Sequence, residues 1–114
     1  MLEIEYKVDY YENSVVMTLP RKIVMLNSDK FKVVLQSIYD LGYRNITLDC
    51  KYLQMIDTNG IGGIIMFQKR FKDIGGELKM VNVNNDYINY LFDKIQLNKI
   101  IDISKGGVNC IECV

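Results

Sequence analysis

Apolar and polar residues alternate along the first part of the chain. From Leu2 to Asp9, every second position is apolar or aromatic and the positions between them are charged. This period of two is typical of a β-strand with one face in water. Glu12-Asn13 favours a turn, and Ser14 to Leu19 is a second apolar segment of strand length. Two such segments joined by a short turn predict an antiparallel hairpin.

A helical period replaces the alternation after residue 27. Between Phe31 and Leu41, apolar residues recur at intervals of three and four, after Ser28 as a candidate N-cap with Asp29 in the first turn. A second helix is predicted from about Ile61 to Asp73. A third is predicted after Asn84-Asn85-Asp86, which have capping character.

Short apolar segments separate and follow these helices, and they predict the remaining strands: Asn45 to Cys50, Glu77 to Asn82 and Ile100 to Ile103. A strand that follows a helix generally lies parallel to an earlier strand. The predicted order β-β-α-β-α-β-α-β therefore indicates an α/β fold with a mixed, largely parallel sheet and helices packed against it. The 114 residues fit a single domain, and we find no linker or internal repeat.

Composition excludes several classes of function. Fourteen basic and 14 acidic residues give no net charge, which argues against a nucleic-acid partner. The absence of histidine removes His-dependent catalysis and His-metal sites. Three cysteines are an odd and sparse set for a secreted disulfide scaffold. The first residues do not resemble a signal peptide, and no apolar stretch approaches the ~20 residues of a membrane span. We expect a cytoplasmic protein.

The segment from Asp57 to Gly63 is the least ordinary part of the sequence. Three residues that favour helix N-caps precede three glycines, each of which costs a helix roughly 1 kcal/mol relative to alanine. One interpretation is a helix that begins where a partner docks; the other is a capped helix with small residues for tight internal packing. The candidate partner-binding residues are Asp57, Thr58, Asn59, Gly60, Gly62, Gly63 and Met66.

Thr58 is the candidate regulatory residue of this segment. A phosphoryl group on its hydroxyl would add a charge of about −1.5 to −2 at a helix N-terminus, where anions are tolerated. We therefore expect phosphorylation of Thr58 to alter partner binding and to leave the fold intact.

The chain resembles a known family over nearly its whole length. Leu48-Asp49, the stretch from Met55 to Gly62, Gly75-Gly76-Glu77-Leu78, Leu91-Phe92 and the stretch from Leu97 to Ile100 are similar to the anti-sigma factor antagonists, the STAS domains of bacterial partner-switching circuits. The usual core of that family reads Asp-Ser-Ser-Gly-Leu-Gly, and its first serine is phosphorylated. Thr58 stands at that serine's position, and Asn59 replaces the second serine.

The resemblance implies a sheet of four or five strands packed with helices. It also implies an anti-sigma factor serine/threonine kinase as partner, a phosphatase that restores the unphosphorylated form, and no catalytic residues, metal or cofactor in the antagonist itself. The chain departs from the family after its second strand, where a Gly-x-Leu-Asp segment commonly contributes to the partner surface. Here residues 19–24 read Leu-Pro-Arg-Lys-Ile-Val, without the acidic residue.

Two alternatives to a switched antagonist remain open. One is a STAS scaffold or interaction subunit of a larger signalling or lipid-transport complex, which would not be phosphorylated. The other is an enzyme that uses its thiols or an unrecognised site. Cys110 and Cys113 form a C-x-x-C pair, but zinc needs four ligands, and we expect Cys50 to be a small buried apolar residue at a strand end. We therefore predict no metal site.

Overall fold

Seven strands and three helices make up residues 6–105, the part of the chain that the computed structural model describes. In chain order they are β1 (Lys7–Tyr10), β2 (Ser14–Thr18), β3 (Lys22–Ile23), α1 (Leu26–Asp40), β4 (Asn45–Asp49), β5 (Met55–Ile56), α2 (Thr58–Asp73), β6 (Glu77–Val81), α3 (Asp86–Lys94) and β7 (Asp102–Ile103), with a 3₁₀ turn at Leu97–Lys99 between α3 and β7.

Five of the strands form one sheet in the order β1-β2-β4-β6-β7. β1 and β2 pair antiparallel as the predicted hairpin, and every other pairing in this sheet is parallel. One row of side chains crosses β2, β4 and β6 at Met17, Leu48 and Met80, and all three are buried. The predicted single α/β domain with a mixed five-stranded sheet is therefore confirmed.

The core lies between this sheet and the helices. Phe31 of α1 and both Phe67 and Phe71 of α2 are completely or almost completely buried, together with the strand residues that face them. Tyr39 meets Phe71 edge to face, with ring centroids 5.6 Å apart, an arrangement that aromatic pairs prefer. Cys50 is buried in the same core, as expected of a small apolar residue.

A second, two-stranded sheet brings the starts of α1 and α2 together. β3 and β5 pair parallel, with Lys22 opposite Met55 and Ile23 opposite Ile56. Each of these strands has only two residues, too few to show a period in the sequence. α1 begins soon after β3 and α2 soon after β5. The parallel pairing therefore places the two helix N-termini side by side.

The structure corrects two predicted helix boundaries. α1 begins at Leu26, so Ser28 lies inside its first turn and is buried, where its hydroxyl donates to the Met25 carbonyl at 2.7 Å. α2 begins at Thr58, three residues before the predicted start at Ile61. The predicted strand residues 2–5 and the C-x-x-C pair Cys110/Cys113 lie outside the described residues.

Candidate functional site

Asp57 is the N-cap of α2. Its backbone is extended, and its Oδ1 accepts a hydrogen bond of 2.8 Å from the Gly60 N–H. A cap of this kind satisfies one of the backbone donors that a helix start leaves without a partner. Because Asp57 supplies the cap, the helix does not require the hydroxyl of Thr58 for that purpose.

The second carboxylate oxygen of Asp57 reaches the start of α1. Oδ2 accepts from the Met25 N–H at 2.8 Å and lies 3.3 Å from the Ser28 hydroxyl oxygen. Desolvation by burial raises the pKa of the Asp57 carboxyl, but the hydrogen bonds from the Gly60 and Met25 N–H groups, with the nearby Ser28 hydroxyl, outweigh it, so the net pKa lies below its ordinary value. The carboxylate is therefore ionised at neutral pH and joins two segments that are far apart in sequence.

Asn59 makes a second set of contacts between the two helix starts. Its Nδ2 donates to the Ser28 hydroxyl at 2.8 Å and to Asp29 Oδ1 at 2.7 Å. Its Oδ1 accepts from Lys32 Nζ at 2.6 Å. All the polar atoms of the Asn59 amide thus contact α1, which fixes the orientation of the first turn of α2 relative to α1.

The three glycines of the segment have different surroundings. A Cβ at buried Gly60 would lie 2.8 Å from Ile56 Cγ1 and 3.0 Å from Ile23 Cγ2, closer than side chains normally approach. A Cβ at Gly63 would lie 2.7 Å from Cγ of Lys32. At Gly62, by contrast, no described atom lies within 4 Å of that position. Internal packing explains Gly60 and Gly63 and leaves Gly62 without a structural reason.

The remaining side chains of the segment face outward. Thr58 and Gly62 are exposed, and they are one helical turn apart on α2. Met66, a further turn along, is 41% exposed. One face of α2 therefore presents the hydroxyl of Thr58, the exposed backbone of Gly62 and the flexible apolar side chain of Met66. Such a face is suited to contact with another protein.

The structure brings all seven predicted site residues to this one place, the first part of α2. Sequence reasoning missed the contribution of the start of α1 to this site, which comes from Met25, Ser28, Asp29 and Lys32. Met25 has a φ of 56° and a ψ of −129°, a conformation that favours glycine. A methionine there carries no local signal of such a backbone, so only the tertiary contact with Asp57 identifies it.

Other kinds of site find little support near this segment of the chain. No group of three or more Cys, Asp or Glu side chains in residues 6–105 could hold a metal ion. A depression of about 380 Å³ lies at the N-terminal ends of β2, β4 and β6, lined by Ser14, Asn45 and Glu77 among others. It lies at the opposite end of these strands from the segments that lead to Thr58. Within the same residues, no helix is long and apolar enough to cross a bilayer.

The chain belongs to the STAS domain family, whose family model matches residues 5–106. No curated protein matches the chain by sequence.

Solved structures share its fold at low sequence identity. An anti-sigma factor antagonist from Mycobacterium paratuberculosis superposes with a TM-score of 0.81 at 10% identity, over 96% of this chain and 92% of that one. A candidate anti-sigma factor antagonist from Thermotoga maritima gives 0.80 at 22% identity, over 96% and 93%. The Bacillus cell fate determinant SpoIIAA in its phosphorylated form gives 0.73 at 13% identity, over 96% of each chain.

Proposed function

We propose that this protein is an anti-sigma factor antagonist that binds an anti-sigma factor serine/threonine kinase, frees a sigma factor, and is switched off by phosphorylation of Thr58. The observation that carries the proposal is the exposure of Thr58 at the start of a helix that Asp57 already caps. A hydroxyl in this position is accessible to a kinase, and its modification removes no contact on which the helix start depends.

Electrostatics supports a switch of binding without unfolding. The first backbone N–H groups of α2 and the helix dipole favour negative charge near Thr58 by about 0.3–1 kcal/mol. Gly62 and Met66, exposed on the same helix face, provide the surface that a partner would cover. A doubly charged group at Thr58 would then lie at the rim of that contact, where it would repel carboxylates and add bulk.

The comparisons support the same role. The chain shares its family and its fold with anti-sigma factor antagonists, and SpoIIAA has been solved in a phosphorylated form as well as an unphosphorylated one. In this proposal the protein acts in the cytoplasm as a binding module, without catalysis or a cofactor of its own, and a phosphatase returns it to the binding form.

The test is phosphorylation in vitro. Each anti-sigma serine/threonine kinase of the same genome is purified and incubated with ATP and the protein, and the modified residue is located by mass spectrometry. We expect one kinase to place a single phosphate on Thr58 and none on a Thr58→Ala variant. A phosphate on another residue, or on none, contradicts the proposal.

Binding to that kinase gives an independent readout. We expect Thr58→Ala to bind like the wild type and Thr58→Glu to bind at least 10-fold more weakly with an unchanged free energy of unfolding. If Thr58→Glu unfolds the domain, the argument from Asp57 capping fails. A stable multimer that binds no kinase would favour the scaffold alternative.

A further inference from the structure

The sheet face that points away from the helices carries a cavity that the proposed switch does not use. Successive side chains of a strand point to opposite faces, and Val15, Ile46 and Leu78 belong to the core beneath the helices. The residues that alternate with them line the depression of about 380 Å³ at the N-terminal ends of β2, β4 and β6, which we refer to as the strand-end cavity. Its lining includes Glu12, Ser14, Asn45, Thr47, Glu77 and Lys79. This volume falls within the range of small-molecule sites.

The register of the parallel strands arranges the polar side chains of the strand-end cavity in two rows. Ser14, Asn45 and Glu77 are direct neighbours across β2, β4 and β6, and Thr47 and Lys79 are neighbours in the next row on the same face. Strands lie about 4.8 Å apart and alternate residues about 6.6 Å apart, so these five side chains border an area of about 10 by 7 Å. The head group of a small molecule fits between them.

Ser14 contributes a hydroxyl that lacks a partner. Within residues 6–105, its Oγ is the one buried side-chain polar atom without a hydrogen bond. Such atoms are rare in folded proteins because an unsatisfied buried hydroxyl costs free energy. Ser14 lines the strand-end cavity, and its side chain turns about a single bond. A polar ligand at this wall would therefore give the hydroxyl the partner that the fold does not supply.

The charged side chains of the strand-end cavity are not paired with one another. None of the ion pairs within residues 6–105 includes Glu12, Glu77 or Lys79. Asp102 of β7 stands opposite Lys79 in the register, and no ion pair joins these two residues either. Glu77 and Lys79 thus present a carboxylate and an ammonium group on one face of β6, two positions apart, where a single ligand can reach both.

The balance of charges indicates the class of ligand. A second depression at the same strand ends is lined by Arg44 and again by Glu12. Together the two depressions have the carboxylates of Glu12 and Glu77 and the cations of Lys79 and Arg44 in their lining, with no net formal charge. A simple anion would meet the carboxylates and a simple cation would meet the ammonium group. A ligand that carries both charges forms charge-assisted hydrogen bonds with both kinds of side chain.

We propose that the strand-end cavity binds a small polar α-amino acid, with the ligand's ammonium group at Glu77, its carboxylate at Lys79 and its side chain directed toward Ser14. Ser14 lies two strands away from Glu77 in the same row, so a polar ligand side chain that extends along this row reaches the hydroxyl without a partner. This inference goes beyond the proposed function and does not depend on it, because the cavity lies at the opposite end of the strands from the segments that lead to Thr58.

Titrations of the full-length, ¹⁵N-labelled protein test the ligand class. L-serine, L-asparagine and L-glutamine are added separately, and the chemical shifts of the backbone amides are followed. We expect at least one of them to give saturable shifts at the start of β2, β4 and β6, with a dissociation constant of about 0.1–1 mM. Acetate and methylamine, which each carry one of the two charges, should bind about 10-fold more weakly or not at all.

Three variants test the assigned contacts. Glu77→Gln and Lys79→Met remove one charge each at nearly constant side-chain size and should weaken binding about 10-fold. Ser14→Ala should weaken binding about 3-fold without lowering the melting temperature of the ligand-free protein, because the lost hydroxyl had no partner. The matched control is Lys30→Met, which removes an exposed lysine of α1 and should change the affinity by less than about 2-fold.

The inference is overturned if none of the three amino acids binds, or if Glu77→Gln and Lys79→Met bind them like the wild type. Acetate that binds as tightly as the amino acids would define a general anion site and would also overturn it. These results say nothing about phosphorylation of Thr58, and a failure to find a kinase leaves the titrations unaffected. The inference and the proposed function therefore fail separately.

Discussion

Alanine at Gly60 and alanine at Gly62 should change stability in opposite directions. Both residues lie in the first turns of α2, so each substitution adds one methyl group to the same helix. Alanine in place of glycine favours a helix by up to about 1 kcal/mol. At Gly62 the part of the chain that the structure describes places nothing within 4 Å of the new methyl group. We therefore expect Gly62→Ala to stabilise the protein by about 0.5–1 kcal/mol.

At Gly60 the methyl group meets the core. Its Cβ would lie 2.8 Å from Ile56 Cγ1 and 3.0 Å from Ile23 Cγ2. Ile23 is fully buried and Ile56 is 5% exposed, so neither side chain can turn into solvent. Extra volume in a packed core typically costs about 1–3 kcal/mol. After subtraction of the helical gain, we expect Gly60→Ala to destabilise the protein by about 1 kcal/mol.

Urea denaturation of the two variants and the wild type measures the difference, which we expect to be about 2 kcal/mol. In thermal unfolding, 1 kcal/mol corresponds to a shift of roughly 4 °C for a domain of this size. If Gly60→Ala is as stable as Gly62→Ala, the close approach of α2 to β3 and β5 does not constrain the sequence.

Gly62→Ala should also weaken kinase binding despite its greater stability, because its methyl group lies on the exposed face.

Three further predictions concern hydrogen bonds. Asp57→Asn should lower the free energy of unfolding by about 1–2 kcal/mol at pH 7. Because the folded pKa of Asp57 is lowered, the stability that its carboxylate contributes is complete above the unfolded pKa of about 3.9 and is lost as the pH falls through the folded pKa. The denaturation curves of the variant and the wild type should therefore converge in acid. Thr58→Ala should change the free energy of unfolding by less than about 0.5 kcal/mol, since Asp57 is the cap; a loss near 1 kcal/mol would show that Thr58 shares the capping. Gln68→Leu should lower the free energy of unfolding by about 2–4 kcal/mol in urea denaturation, because the buried Gln68 amide accepts from the Leu78 N–H and donates to the Ile100 carbonyl. A loss below 1 kcal/mol would mean that these two backbone groups find other partners.

The sequence predicted most of the architecture because its main elements are long enough to show a period. The hairpin, the three helices and the strands that enter the core each repeat their apolar residues several times. The two-residue strands β3 and β5 were missed because a period cannot be read from two positions. These strands place α1 beside α2, so the geometry of the site was missed with them.

The sequence singled out the segment of the candidate site residues, but it described the contacts of that segment only in part. Capping residues and glycines near Thr58 marked the start of α2, although the pattern could not tell which of Asp57, Thr58 and Asn59 was the cap. Ser28 was predicted as the N-cap of α1 from its residue type and its place just before the helical period. The structure shows instead that an unusual backbone at Met25 starts this helix one turn earlier, held by a carboxylate that the local sequence does not contain.

The hydrogen bond between Met25 and Asp57 has a consequence for a chain that is still being synthesised. A ribosome-bound fragment that ends before residue 57 lacks the carboxylate that holds the first turn of α1. Even in a chain that contains residue 57, the starts of α1 and α2 join only after the two distant segments have come together. An enzyme that recognises the joined starts of the two helices would therefore act on folded molecules and pass over nascent or misfolded ones.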